Sequence, residues 1–198
     1  MAEPRPVRSL EQIHALILAE IVGGAYRPGD RIAIKALSDR LGLSTTPLRE
    51  TLSRLAGRGV VEQRRSEGYY LSRLDARDIA QLFSLHEMCV ARAVSALTAL
   101  PTIEATDVFD AWSVFDALGQ HADDAIVRDV RRYLDDRLKP LRRLEADAIP
   151  DQETELARLM AACATDRRDA MTHEIAVFHQ RRRDLAHHFA LELGRTRR

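Results

Sequence analysis

The residues of this chain best suited to ionic chemistry are arginines concentrated in one short stretch. Between Leu43 and Arg65 the sequence carries five arginines and only two acidic residues. The arginines are Arg49, Arg54, Arg58, Arg64 and Arg65. Guanidinium groups bind phosphate oxygens and the acceptor edge of guanine, which makes this stretch a candidate to contact nucleic acid.

The distribution of charge supports this interpretation. The 198-residue chain has a formal net charge of zero, but residues 1–75 carry 12 Lys or Arg against 9 Asp or Glu, and the remainder carries 18 against 21. The positive excess therefore lies in the part that holds the arginine stretch, where a nucleic-acid partner would be attracted.

Composition also bears on where the protein works. Cys89 and Cys163 are too few for a disulfide framework and lack paired metal-ligand spacing. No run approaches the roughly 18 apolar residues that a membrane helix needs, and the opening residues lack the apolar core of a secretory signal. We expect a reduced, cytoplasmic setting and no membrane partner.

Histidines offer a second kind of chemistry, metal binding. Four of the seven lie in the C-terminal region: His173, His179, His187 and His188. On one helix, residues 173 and 179 are separated by about 600° of rotation and face different ways, and no pair has the i, i+4 spacing that places two imidazoles on one face. Because no phosphate loop or nucleophile elbow occurs either, we predict that the protein is not an enzyme.

The elements that must position the arginines follow from apolar spacing and turn residues. Helical spacing predicts three helices, over about 9–22, 34–41 and 43–58. Gly42 is expected to end the second helix as a C-terminal cap. Two β-prone runs, 60–63 and 69–71, predict a hairpin. This order is the plan of a winged helix-turn-helix, whose third helix enters the major groove of DNA.

From Asp75 onward the pattern is helical, with interruptions at Pro101, Pro140 and Pro150. The predicted helices are about 76–99, 104–120, 123–145, 151–164 and 166–193. The predicted fold class is therefore mostly α. A winged helix-turn-helix DNA-binding domain in residues 1–74 is followed by an all-α helical-bundle domain in residues 75–198.

Several motifs of residues 8–73 occur together in a specific order. They are G-x-Y-x-P-G-D at Gly24–Asp30, L-S-D-R-L-G-L-S-T-T-P-L-R-E-T-L-S-R-L at Leu37–Leu55, and the glycine-bearing wing. This stretch resembles the GntR family of bacterial regulators, and Asp78–Met88 is similar to the first effector-domain helix of its FadR-like branch. The resemblance implies a homodimer that binds double-stranded DNA at a palindromic operator, with a small-molecule effector in the helical domain.

The resemblance also implies which residues contact DNA. In the second and third helices the matching positions are Lys35, Thr45, Arg49 and Arg54, and the wing would bring Arg64, Arg65 and Gly68 towards the minor groove. Thr45 and Lys35 stand where many relatives have arginine. Threonine cannot grip guanine with a two-pronged fork, so we expect an operator that differs from the family's common one.

Many relatives hold a divalent metal in the bundle through an Asp, a His four residues later and two further histidines. Trp112, Asp116, Glu155 and Val177 stand at or near those positions, so we predict neither a family-type metal nor another cofactor. Candidates to line an effector pocket are His86, Arg92, Trp112, Asp116, Glu155 and His173. Helix packing would explain Trp112 equally well, and Arg92 could simply snorkel from a packed helix.

The leading hypothesis is a sequence-specific transcriptional regulator, a repressor whose bundle responds to a small metabolite. An alternative is an effector-independent DNA-binding or interaction protein with a degenerate ligand domain. The least favoured alternative is a metal-dependent enzyme built on the bundle.

Overall fold

The computed structural model describes residues 8–104 and 106–195, and the described chain divides into two compact units. Among the described residues, the first unit comprises 8–73 and 193–195, which include the last two residues of the final helix, Ala186–Gly194, and the second unit is Leu74–Glu192. Across these described ranges, none of the helices combines the length and the apolar character needed to span a bilayer.

The first unit is a three-helix domain with a small antiparallel sheet. Its elements are α1 (Leu10–Val22), β1 (Arg31–Ile32), α2 (Ile34–Leu41), α3 (Thr45–Gly57), β2 (Val61–Arg64) and β3 (Gly68–Leu71). The strand order is β1-β3-β2, with Arg31 opposite Tyr70 and Arg64 opposite Gly68. The two-residue strand β1 was not predicted, because so short a segment carries no periodicity.

One apolar face of each helix builds the core of this unit. Its buried side chains include Ile13, Ile17 and Ile21 from α1, Leu37 from α2, and Leu48, Leu52 and Leu55 from α3. The spacing of three and four residues puts the buried groups of α3 on one face. The opposite face of α3, with Arg49 and Arg54, is therefore exposed.

Local signals set the ends of these helices. Ser9 accepts a hydrogen bond from the backbone N–H of Gln12, whose side chain binds back to Ser9 and completes a capping box. Gly42 ends α2 with φ of 65°, a left-handed conformation that glycine adopts without a Cβ clash. This confirms the predicted cap at Gly42.

The second unit is a helical bundle around one long helix. Its elements are α4 (Ala76–Ala96), α5 (Ala111–His121), α6 (Ala125–Leu138), a 3-10 turn (Lys139–Leu141), α7 (Arg142–Ala148), α8 (Gln152–Ala164), α9 (Arg168–Asp184) and α10 (Ala186–Gly194). Helix α4 packs against α5, α6 and α9. A mostly α fold with a winged N-terminal domain and a helical C-terminal region is therefore confirmed.

Four of the predicted bundle helices differ in their limits, and the first of them ends at Ala96 rather than near residue 99. The prediction of helix at 104 and over 106–110 is wrong, while residue 105 lies outside the described residues. Helix α5 begins at Ala111, because Asp110 and Ser113 form a capping box that starts the helix there. The predicted helix 123–145 is broken by a 3-10 turn at Pro140, which lacks an N–H to continue an α-helix. The predicted helix 166–193 breaks at Leu185, where no glycine or proline marks the change.

Candidate nucleic-acid interface and bundle interior

A concave surface of about 640 Å³ lies between α2, α3 and the β2–β3 wing. Its charged lining consists of five cations, Arg31, Lys35, Arg49, Arg64 and Arg65, and one acid, Glu67. All five cationic side chains belong to exposed residues. A dense positive surface beside an exposed helix face is suited to a phosphate backbone.

The seven DNA-binding candidates fall into two groups. Lys35, Arg49, Arg64, Arg65 and Gly68 line this concave surface together. Thr45 and Arg54 are exposed on α3 but do not line it.

Two of the arginines are already engaged within the domain. Arg54 forms an i, i+4 ion pair with Glu50 at 2.9 Å. Arg64 pairs with Glu62 at 3.1 Å and lies 4.0 Å from the centre of the Tyr70 ring. Among the described residues, no such ion pair involves Arg49. Arg49 is therefore the recognition-helix arginine whose charge is most available to a ligand.

The wing is tied to α3 by a buried aromatic residue. Tyr69 on β3 is 7% exposed, and its hydroxyl donates to the backbone carbonyl of Arg49 at 3.4 Å. The turn of the wing uses left-handed backbone at Ser66 (φ 64°) and Gly68 (φ 109°). Glycine is favoured at the second of these because a Cβ would strain that conformation. The wing cations are thus held at a defined place beside Arg49.

Arg31 is the member of this surface that sequence analysis missed. It lies on β1, with its guanidinium 3.6 Å from the position that a Cβ on Gly68 would occupy. Only the pairing of β1 with β3 brings it to the wing. A cation that immediately follows the G-x-Y-x-P-G-D segment was the available signal, and it is weak alone.

We expect Arg31→Ala to weaken DNA binding without changing the preferred sequence. A residue that contacts phosphate contributes equally on every sequence, and its loss reduces the slope of log affinity against log salt by about 1. Fluorescence anisotropy with one specific and one random duplex, each over a salt series, measures both quantities. An unchanged slope would remove Arg31 from the interface.

The interior of the bundle contains a buried ion-pair cluster, which we call the Arg182 triad: Arg182, Glu145 and Glu155. Arg182 is 1% exposed, and its guanidinium donates to both carboxylates, with shortest distances of 2.8 Å to Glu145 and 3.1 Å to Glu155. The indole N–H of Trp112 also donates to Glu145, at 3.3 Å. A buried charge of this kind is tolerated only when it is paired and hydrogen-bonded.

A cavity of about 160 Å³ opens beside the triad. Of the effector-pocket candidates, Trp112 and Glu155 line it. The other four do not: they are His86, which is fully buried; Asp116, paired with Arg131 at 2.5 Å; Arg92, paired with Asp124 at 3.5 Å; and His173, exposed on α9. Sequence analysis missed Glu145, Phe178 and Arg182, because α7 and α9 reach this cavity only through tertiary packing.

The positions that hold a metal in many relatives of the resembling family do not suit one here. Trp112 presents an N–H rather than a lone pair, and Asp116 and Glu155 are each bound by an arginine. Within residues 8–104 and 106–195, no three His, Cys, Asp or Glu side chains are grouped so that they could hold an ion. The residues present therefore do not fit a metal of the family type.

A buried chain of hydrogen bonds links α9, α4 and α6. His179 Nδ1 donates to the carbonyl of Ile175 at 2.6 Å, so its Nε2 accepts from His86 Nδ1 at 2.7 Å. The remaining nitrogen of His86 lies 3.0 Å from a carboxylate oxygen of Asp135. The two imidazoles and the carboxylate of Asp135 thus form one continuous hydrogen-bonded chain between the three helices.

Burial and nearby charged groups shift the pKa values of two members of this hydrogen-bonded chain, Asp135 and His179. Burial raises the pKa of Asp135, but the hydrogen bond and charge of His86, with the charges of Arg131 and Arg142, outweigh it and leave that pKa lowered. Burial, reinforced by the charge of His86, holds the pKa of His179 well below its usual value. His179 is thus neutral in the folded bundle.

We expect the bundle to lose stability as the pH falls. Unfolded His179 takes up a proton near pH 6.5, whereas folded His179 does not, so the unfolded state binds more protons at lower pH. The free energy of unfolding then falls by up to about 1.4 kcal/mol per pH unit below that value. Urea unfolding at several pH values, followed by the fluorescence of Trp112, the single tryptophan, measures it. His179→Gln should flatten the dependence, and His187→Gln, at an exposed position, should not.

A winged helix-turn-helix whose third helix and wing share a cationic surface defines a DNA-binding domain. Residues 10–71 match the family model described as "Bacterial regulatory proteins, gntR family". The match covers the residues whose motifs resemble this family, so it confirms the resemblance for this part of the chain.

Curated relatives match over part of this chain. An HTH-type transcriptional regulator of Mycobacterium tuberculosis is 30% identical over 96 residues, which is 48% of this chain and 39% of that protein. The HTH-type transcriptional regulator McbR of Escherichia coli is 33% identical over 79 residues, 38% of this chain and 36% of its own length. The chain thus spans less than two fifths of the length of these relatives in the alignments.

Solved structures extend the likeness to the whole fold. The structure of E. coli McbR has a TM-score of 0.67 at 21% identity, covering 92% of this chain and 99% of that one. A GntR-type protein of a Rhodococcus species has a TM-score of 0.68 at 15% identity, covering 89% of this chain and 96% of its own. At these identities the likeness shows the fold alone.

Proposed function

We propose that this protein is a sequence-specific DNA-binding transcriptional regulator of the GntR type. The observation that carries the proposal is the cationic surface formed by α2, α3 and the wing, where Lys35, Arg49 and Arg65 meet. Arg49 would read bases in the major groove, because it is exposed on α3 and has no ion pair among the described residues. The wing cations would contact the backbone.

The direct test is binding of the purified protein to the DNA upstream of its own gene. Fluorescence anisotropy over a salt series should give an affinity about 1,000-fold above that for random DNA, falling steeply with salt. If neither the upstream DNA nor any duplex from a genome-wide selection is preferred over random DNA, the proposal fails.

The working form is proposed to be a homodimer that reads a palindromic operator. Two copies would place two α3 helices about one turn of DNA apart, which matches an operator with two-fold symmetry. Exposed apolar side chains on neighbouring helices of the bundle support self-association: Leu85 and Met88 on α4, and Ile126 and Val130 on α6. Light scattering during size-exclusion chromatography should give twice the chain mass, and a single-chain mass would exclude the dimer.

The two units are proposed to divide the work, with residues 1–74 binding DNA and residues 75–198 binding an effector and dimerising. The support for an effector is the cavity beside the Arg182 triad, which Trp112 and Glu155 line. Cavities between bundle helices are usual ligand sites. An effector would act by binding one arrangement of the dimer better than another. We propose that the protein works in the cytoplasm and represses transcription.

A second candidate is a regulator that binds DNA without an effector. It is favoured by the Arg182 triad, because the one guanidinium of the triad is already paired with the carboxylates of Glu145 and Glu155. A thermal-shift screen against a metabolite panel separates the two, because one specific and saturable stabiliser would exclude the effector-independent protein. Enzymatic activity is not proposed.

A further inference from the structure

The cavity beside the Arg182 triad has the size of a small ligand and a strongly acidic lining. Its volume of about 160 Å³ is similar to that of an engineered cavity, roughly 150 Å³, that binds benzene. Among the residues that line it, Asp110, Glu145, Glu153 and Glu155 carry carboxylates and Arg182 alone carries a guanidinium. Glu155 is paired with a second arginine, Arg181, at 3.2 Å. A ligand of about six heavy atoms would fit, and negative charge would surround it.

Arg182 has nothing to offer an anionic ligand. Its guanidinium makes five hydrogen bonds: two to Glu145, two to Glu155 and one to the carbonyl of Phe178. An arginine has five N–H groups in all, so every donor is engaged. A carboxylate or phosphate entering this cavity would find its one cation saturated and its acidic neighbours repulsive.

Glu145, in contrast, has an unused acceptor. It is 2% exposed and lines the cavity, and its Oε2 accepts from both Arg182 and Trp112. Its Oε1 is buried and has no hydrogen-bond partner among the described residues. A buried carboxylate oxygen without a donor is unfavourable, so an additional N–H or O–H group at this place would stabilise the site.

The aromatic walls are of the kind that binds cations. Trp112 and Phe178 meet nearly at right angles, with ring centres 5.5 Å apart. Each already holds a guanidinium against its ring, with Arg142 4.2 Å from the centre of Trp112 and Arg182 3.2 Å from that of Phe178. Aromatic faces and carboxylates together are the usual receptor for an organic cation.

We propose that this cavity binds a small organic cation carrying a primary ammonium group, which donates to the free oxygen of Glu145 while its short apolar part packs on Trp112 and Phe178. This rests on the proposed function, for which it names the chemical class of the effector.

The test uses the full-length protein and the fluorescence of Trp112, the only tryptophan in the chain. The probe is n-butylammonium chloride. Sodium butyrate and n-butanol match its shape without the positive charge, tetramethylammonium chloride has the charge without an N–H donor, and sodium chloride controls for ionic strength. We expect a saturable change with butylammonium alone, with a dissociation constant on the order of 1 mM for so small a ligand.

A matched pair of variants tests the role of Glu145. Glu145→Gln should weaken butylammonium binding at least about tenfold, the size of one charged hydrogen bond. Asp147→Asn, at an exposed position on the same helix α7, should leave it within about twofold. The comparison of probes is made on the wild-type protein, so it decides whether the cavity binds the cation even if Glu145→Gln fails to fold.

Three results would overturn the inference: no saturable change with butylammonium, an equal response to butyrate, butanol or tetramethylammonium, or equal binding by the two variants. Operator binding is measured separately, with and without butylammonium. If the protein binds its operator but Trp112 does not respond, the cation site fails while the regulator stands. If Trp112 responds as expected but no DNA is preferred, the regulator fails and the cation site stands.

Discussion

Replacing Arg182 by methionine is expected to lower the free energy of unfolding of the bundle by about 3–5 kcal/mol. The substitution keeps much of the apolar length of the side chain but leaves Glu145 and Glu155, 2% and 6% exposed, without their shared cation. Uncompensated buried charge is among the largest single destabilising effects in proteins. Urea unfolding followed by far-UV circular dichroism measures the change.

The neighbouring Arg183 offers a matched control. Its side chain is 21% exposed and pairs with Glu87, so Arg183→Met should lower stability by at most about 1 kcal/mol. A triple variant that adds Glu145→Gln and Glu155→Gln to Arg182→Met should recover most of the loss, because it removes the stranded charges. Equal losses of stability for Arg182→Met and Arg183→Met would show that removing the buried arginine costs no more than removing the partly exposed one.

Replacing Arg49 by alanine is expected to weaken binding to the operator by about 10- to 100-fold, which corresponds to the loss of one two-pronged contact with a base. Binding to random DNA should weaken much less, so the preference for the operator should largely disappear. Fluorescence anisotropy at fixed salt, with operator and random duplexes in parallel, measures both affinities.

Two further arginines serve as comparison positions in this experiment. Arg54 on the same helix must give up its pair with Glu50 to reach DNA, so Arg54→Ala should have a smaller effect than Arg49→Ala. Arg132→Ala, at an exposed position on α6 of the bundle, should leave both affinities unchanged. A parallel loss on operator and random DNA for Arg49→Ala would reassign Arg49 to the phosphate backbone.

The DNA-binding unit was predictable from sequence because its signals are local. The spacing of Leu48, Leu52 and Leu55 determines which face of α3 is buried, and so which face carries Arg49. Gly42 and Ser9 mark helix ends through hydrogen bonds that reach only a few residues along the chain. The strand β1 and its Arg31 escaped prediction because they depend on pairing with a strand about forty residues away.

The interior of the bundle was predictable only in part. Trp112 and Glu155 line one cavity, whereas His86 and Asp116 lie in a different network, which runs through Asp135 and Arg131. The apolar spacing of Met171, Ile175 and Phe178 places Arg182, and not Arg181 or Arg183, on the buried face of α9. Only the tertiary structure shows which carboxylates meet it there.

The sequence by itself thus determined the winged helix-turn-helix and its basic helix face, because helix periodicity, caps and turns act between residues close along the chain. The tertiary structure alone decided which charges are buried together. Glu145, Glu155 and Arg182 come from three different helices. Their shared burial turns ordinary charged residues into one cluster, since ion pairing strengthens as water is excluded.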